Sequence, residues 1–149
     1  MTKPVAIVTG GSRGVGAEVS ILLAKKGWNL AITCSSSMDA AKEICQDCET
    51  HGAETIVIQA DVSQPDLCAK TVKDTIDKFG KLDALINNAG TTKFNAHDNL
   101  EGLSKDDFLG LYAINTVGPY MMIKESREYL AKSDNPSVVN VASLAGVLG

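Results

Sequence analysis

Apolar residues along this chain follow two rhythms, and the rhythms alternate. Short unbroken runs such as Val5-Ala6-Ile7-Val8, Leu30-Ala31-Ile32 and Ala84-Leu85-Ile86 are separated by longer stretches in which apolar positions recur three and four residues apart, as at Val15, Val19, Leu22 and Leu23. The runs predict strands over 5–9, 29–34, 55–60, 84–87 and 137–142, and the periodic stretches predict helices over 15–26, 38–51, 65–79 and 105–131. Gly27, Gly52 and Gly80 each stand just past a helical stretch, the place of a left-handed cap, and so mark where those helices stop.

Strands that are apolar throughout, rather than alternately apolar and polar, belong to a parallel sheet covered on both faces. Regular alternation of strand and helix is the α/β pattern, and right-handed crossovers then give the strand order 3-2-1-4-5, a Rossmann-type doubly wound sheet. No linker, repeat or low-complexity tract interrupts it, so residues 1–149 read as one domain. Ligands of such a sheet lie at its carboxyl edge, beside strand 1 where the order reverses. The residues delivered there are a glycine loop after strand 1, Ser35 to Ser37 after strand 2, Asp61 after strand 3, Asn87 to Gly90 after strand 4 and Ser143 after strand 5. Five strand ends are thus expected to converge on one crevice.

Composition narrows the ligand. With 44% hydrophobic and 21% charged residues the chain is an ordinary globular domain, and a net charge of -4 argues against nucleic acid or an anionic membrane as a partner. No apolar stretch is long enough for a signal sequence or a membrane span, which makes the cytoplasm the expected setting. The four cysteines form no extracellular disulfide pattern. Cys45 and Cys48 make a C-x-x-C, but with Ala41 and Ile44 they occupy the apolar face of one helix and no second ligand pair exists, so they read as core and no metal is expected.

The loop Thr9 to Gly16 reads T-G-G-S-R-G-V-G between a strand and a helix. Gly10, Gly14 and Gly16 have the spacing G-x-x-x-G-x-G, one residue longer at the first gap than the commoner dinucleotide pattern. Glycine lets main chain turn tightly and lets a ligand approach backbone N–H groups, and a helix start adds unpaired donors and the positive end of its dipole. The segment is a candidate diphosphate cradle.

A second local argument concerns Asn115. Pro119 lies four residues later in the same helical stretch and has no N–H to return to the Asn115 carbonyl, so the helix is expected to break there.

Together these residues resemble the short-chain dehydrogenase/reductase family. The resemblance spans the whole chain and rests on T-G-x-x-x-G-x-G at Thr9 to Gly16, Asp61-Val62, N-N-A-G at Asn87 to Gly90, the helical Asn115, and Ser143 after strand 5. It implies one nucleotide-binding domain that moves a hydride between a nicotinamide and a carbonyl or alcohol carbon of a small-molecule substrate. It further implies that Gly10, Ser12, Arg13, Gly14, Val15 and Gly16 hold the diphosphate. Asp61 accepts from the adenine amino group, the Val62 backbone meets the adenine edge, and Asn88, Ala89 and Gly90 pack against the adenosine ribose, while Asn87 ties strands together. Ser143 then polarises the substrate carbonyl as a hydrogen-bond donor, and the Asn115 main-chain oxygen holds a water of the proton relay. Ser143 also reads as a plain strand-end hydroxyl; no G-x-S-x-G surrounds it, and neither His51 nor His97 has a partner acid in view.

Cofactor choice follows from the end of strand 2. An NAD site places an acid there to accept from the ribose 2′-hydroxyl; here Ser35, Ser36 and Ser37 stand instead, and Arg13 supplies a nearby guanidinium. NADP(H) is the expected cofactor.

The family's proton donor is a Tyr in Y-x-x-x-K on the helix after strand 5, and the sequence reaches Gly149 without it. Tyr120 and Lys124 have that spacing but precede Ser143 on the preceding helix, which makes them a decoy. The uncovered apolar strand 5 argues that these residues are the N-terminal portion of a longer domain, a homodimer or homotetramer at full length. A product that truly ended at Gly149 is expected to be inactive. The glycine loop is most like those of 3-oxoacyl-[acyl-carrier-protein] reductases, and the rival reading is a non-catalytic NADP-sensing or scaffold protein of the same fold.

Overall fold

The computed structural model of the chain describes residues 2–143. In order the elements are β1 (Val5–Val8), α1 (Gly14–Lys25), β2 (Asn29–Cys34), α2 (Met38–Thr50), β3 (Thr55–Gln59), α3 (Pro65–Phe79), β4 (Ala84–Asn87), α4 (Lys105–Tyr112), α5 (Gly118–Leu130) and β5 (Ser137–Asn140). The strands pair in the order β3-β2-β1-β4-β5, all parallel, as the strand and helix rhythm predicts.

Alternate residues of β1 to β4 feed two separate cores. Ala6, Val8, Leu30 and Ile32 pack with Ala24 of α1 and with Ala41, Cys45 and Cys48 of α2. Ile7, Ala31 and Leu85 face the other way, onto Cys68 and Val72 of α3 and Met122 and Leu130 of α5. A strand buried on both sides has no polar face to show, which is why β1, β2 and β4 read as continuous apolar runs. The cysteines are packing groups: all four are buried, and burial pushes the Cys48 and Cys68 thiols up to about 11. Among the described residues no group of His, Cys, Asp or Glu could hold a metal ion, and no helix is long and apolar enough to cross a membrane.

The sheet's amino edge is stapled by one carboxylate. Asp83 Oδ2 accepts from the Val5 N–H at 2.8 Å and lies 3.0 Å from Lys81 Nζ, while Oδ1 accepts from Ser133 Oγ at 2.6 Å. Burial works to raise its pKa, but the hydrogen bonds from Ser133 and Val5 and the Lys81 ammonium bring it below the usual value. The starts of β1 and β4 and the segment after α5 are thereby held together.

Two expectations are corrected. The long helix over 105–131 is not uniform: α4 and α5 are joined through a π turn at Ala113–Val117, where Gly118 N–H reaches the Ala113 carbonyl five residues back. Pro119 can neither donate to the carbonyl four residues earlier nor clear it sterically, and a widened turn accommodates the ring. The break expected at Pro119 therefore takes the form of an added residue. The fifth strand is also shorter than 137–142, ending at Asn140; it is exposed along its length, with Val138 and Val139 at 42% and 47%. The helical layers of the described residues cover the central strands, and β5 contributes to neither core.

Candidate functional site

At the carboxyl edge, beside β1, lies a crevice of about 360 Å³. Gly10, Ser12 and Arg13 wall it from the loop after β1, Cys34 and Ser35 to Ser37 from the end of β2, and Ala60, Asp61 and Val62 from the end of β3. Asn88 to Thr91 after β4 and Ile114 in the π turn complete it. Four strand ends supply these described walls. Ser143, three residues past the end of β5, is exposed and outside the walls.

The glycine loop is shaped by its neighbours. Gly10 has φ of +63°, and a Cβ there would stand 2.9 Å from the Ala89 Cα, so only glycine lets the two loops touch. Gly14 has φ of +56° with open space around it, so there it is the backbone conformation, not crowding, that favours glycine. At Gly16 a Cβ would fall 2.4 Å from Asn88 Nδ2. Asn88 in turn donates from Nδ2 to the Thr9 and Gly10 carbonyls, each at 3.0 Å, and the N–H groups of Asn88 and Ala89 both donate to Thr9 Oγ1 at 3.0 Å. The loops after β1 and β4 are locked into one unit.

Not every amide of the glycine loop is available to a ligand. Gly10 N–H donates to Thr33 Oγ1 at 3.3 Å and Gly11 N–H to the Thr33 carbonyl at 2.9 Å. The cap residue of α1, Arg13, makes no side-chain cap, no acid sits in the first turn, and Ala17 N–H is the first to return to Arg13. Gly14, Val15 and Gly16 therefore present the uncapped donors of the helix start, with the Val15 side chain exposed on the outer surface of α1. None of the three lines the crevice itself, whose wall from this loop is Gly10, Ser12 and Arg13; they follow directly on that wall. Arg13 adds a guanidinium that makes no ion pair or hydrogen bond among the described residues, and the Ser12, Ser35 and Ser36 hydroxyls are equally uncommitted there. Asp61 uses Oδ1 to accept from Ser63 N–H at 2.9 Å, which orients the carboxylate at the far wall. An uncapped helix start, one free cation and a single acid fit a dinucleotide, whose diphosphate needs donors and whose adenine amino group needs an acceptor.

Asn87, the last residue of β4, is buried and does not line the crevice. Its Nδ2 donates to Asn140 Oδ1 at 2.9 Å on the neighbouring strand, the strand-tying role its place in the motif implies. Asn115 sits on the π turn with its side chain turned to the loop after β4, where it exchanges two hydrogen bonds with Thr91. Tyr120 and Lys124 belong to α5; Tyr120 is 65% exposed and Lys124 pairs with Glu125, so neither reaches the crevice. Sequence reasoning overlooked Thr9 and Thr33 as the groups that organise the loop. The signal was present in a threonine at each of two adjacent strand ends, but a buried hydroxyl has no pattern of its own.

The family model for short chain dehydrogenases matches residues 4–149. A 3-oxoacyl-[acyl-carrier-protein] reductase FabG of Staphylococcus epidermidis is 31% identical over 144 residues, which are 97% of this chain and 58% of that protein. Versicolorin reductase stcU of Emericella nidulans is 30% identical over 145 residues, 96% of this chain and 54% of its own length. A crystal structure assigned to the short-chain dehydrogenase/reductases, from Burkholderia xenovorans, superposes with a TM-score of 0.95 at 34% identity, covering 100% of this chain and 63% of its own. The chain thus spans a little over half the length of these curated relatives.

Proposed function

Because the chain belongs to the short chain dehydrogenase family, we propose that its crevice binds NADP(H) and that the protein it forms part of transfers a hydride between that cofactor and a carbonyl or alcohol carbon. The observation that carries the cofactor choice is the uncommitted Arg13 guanidinium in one crevice with Ser35 and Ser36, where an acid would mark NAD. Ser12 to Gly16 hold the diphosphate through backbone N–H groups, Gly10 keeps the loop against Ala89, and Asp61 and Val62 receive the adenine. Asn88, Ala89 and Gly90 form the floor under the adenosine ribose. When bound, the nicotinamide supplies or accepts the hydride.

The remaining roles belong to this chain's own groups. Ser143 Oγ donates to the substrate carbonyl oxygen and stabilises the negative charge that grows there. Asn115, held by Thr91, presents its main-chain oxygen to a water that passes protons to the family's tyrosine. The FabG-type relatives are named for a 3-oxoacyl group on acyl-carrier protein, a ketone-bearing thioester, and favour that substrate class for this site; another relative is named for versicolorin. A cytoplasmic homodimer or homotetramer is the corresponding state of the whole protein.

Titration with NADPH and NADH tests the reading. NADPH is expected to bind more tightly by at least about tenfold, with the advantage lost in Arg13→Ala, since a charge-assisted contact is worth roughly 1.5–3 kcal/mol. Equal or tighter NADH binding overturns the assignment. NADPH binding without turnover of any ketone or 3-oxoacyl thioester by the full-length protein would favour the sensor or scaffold alternative.

A further inference from the structure

We infer that Gln59 is a positioning residue for the ribose phosphate, holding the Ser35–Ser37 turn in the shape that receives it; the inference rests on the NADP(H) reading of the crevice. The strands β2 and β3 run in register to the pair Cys34 and Gln59, and the last ladder bond between them is Ala60 N–H to the Cys34 carbonyl at 2.9 Å. Beyond it β2 leaves the sheet, and the Ser35 carbonyl is the first with no strand opposite. The Gln59 carboxamide takes the place of that strand: its Nε2 donates to the Ser35 carbonyl at 3.1 Å. One residue on, the Ser36 carbonyl accepts from Met38 N–H at 3.0 Å at the start of α2.

The turn is therefore pinned at both ends through its carbonyls, while its Ser35 and Ser36 hydroxyls stay uncommitted among the described residues and the turn walls the crevice. Gln59 is exposed, so its side chain adds little to the core, and its hydrogen bond is the interaction it makes. A neutral donor suits this position. A glutamate of the same length would oppose the Ser35 carbonyl with an acceptor and bring a negative charge toward a phosphate. The diphosphate donors lie on a different element, the start of α1, so loosening this turn should affect only ligands that carry a 2′-phosphate.

The two halves of that statement separate with 2′,5′-ADP and 5′-ADP as probes, measured by calorimetry on wild type, Gln59→Met and Gln59→Glu. Wild type is expected to prefer 2′,5′-ADP. In Gln59→Met, which keeps length and removes the donor, 2′,5′-ADP should weaken about three- to tenfold with 5′-ADP unchanged, and Gln59→Glu should weaken it further. A Gln59→Met protein that keeps the wild-type ratio of the two affinities overturns the role of Gln59 while leaving the cofactor reading intact. A wild type with no preference for 2′,5′-ADP overturns the cofactor reading and this inference with it. Because a ratio of affinities is read, a uniform loss from damaged folding would leave it unmoved and count against Gln59.

Discussion

Thr91 and Asn115 hold each other by both ends of one peptide-like pair: Thr91 N–H donates to Asn115 Oδ1 at 2.9 Å, and Asn115 Nδ2 donates to the Thr91 carbonyl at 2.8 Å. The loop after β4 is thereby clamped to the π turn, and the wall of the crevice is joined to the residue proposed to serve the proton relay. Both partners are exposed, so water competes for each bond and the clamp contributes geometry more than stability. Asn115→Leu is expected to cost about 1 kcal/mol or less in urea unfolding, yet to speed amide exchange at Thr91 markedly. Unchanged protection of Thr91 would show that the clamp does not hold the loop.

Gly10 and Gly14 make a paired test of what the glycine loop needs. Gly10→Ala must fit a methyl group against the Ala89 backbone at a positive φ and is expected to lose about 3 kcal/mol or more. Gly14→Ala meets no neighbour and bears only the left-handed conformation, about 1–2 kcal/mol. Equilibrium denaturation of both variants decides it, and a reversed order would contradict the close approach of the two loops.

Asp83→Ala leaves the buried Val5 N–H without its acceptor and should destabilise by about 2–3 kcal/mol. The pH dependence has a fixed sign. Asp83 has a lowered pKa in the fold, so its contribution is complete above its unfolded value near 3.8 and is lost as pH falls through the folded value. Wild type should lose stability over that acidic window more steeply than Asp83→Asn, as read from melting temperatures between neutral and acid pH.

Asp107 governs the loop before α4. The Lys93 ammonium at 2.6 Å, the Ser104 hydroxyl at 2.7 Å and the Ser104 N–H at 2.8 Å hold its pKa down to about 2, while Ser104 Oγ caps Asp107 N–H in return. Asp107→Asn is expected to fray the start of α4 and loosen Lys93, raising amide exchange over 104–107. In wild type the same change should set in only as pH drops from about 3.8 toward about 2.

The cysteines should be silent. Cys34, Cys45, Cys48 and Cys68 are buried and desolvation raises the pKa of each, so a thiol reagent at neutral pH is expected to react only as fast as the protein opens. Rapid native-state labelling of Cys34, which borders the crevice, would show that the turn after β2 opens readily.

Much of this molecule can be read without coordinates. Periodicity is a local property, so the five strands, their order and the first three helices follow from apolar spacing, and the loop glycines announce a tight turn between β1 and α1. Asn87, Asn88 and Asp61 could be placed at strand ends because a parallel sheet delivers those ends to one edge. What tertiary structure alone decided is who satisfies whom. Thr33 takes up the Gly10 and Gly11 amides, and Gln59 reaches the Ser35 carbonyl past the last pair of the β2–β3 ladder. Each of these depends on groups that are distant in sequence. A hydrogen bond is fixed by contact in space, and the linear pattern carries only the spacing that repeats along one element.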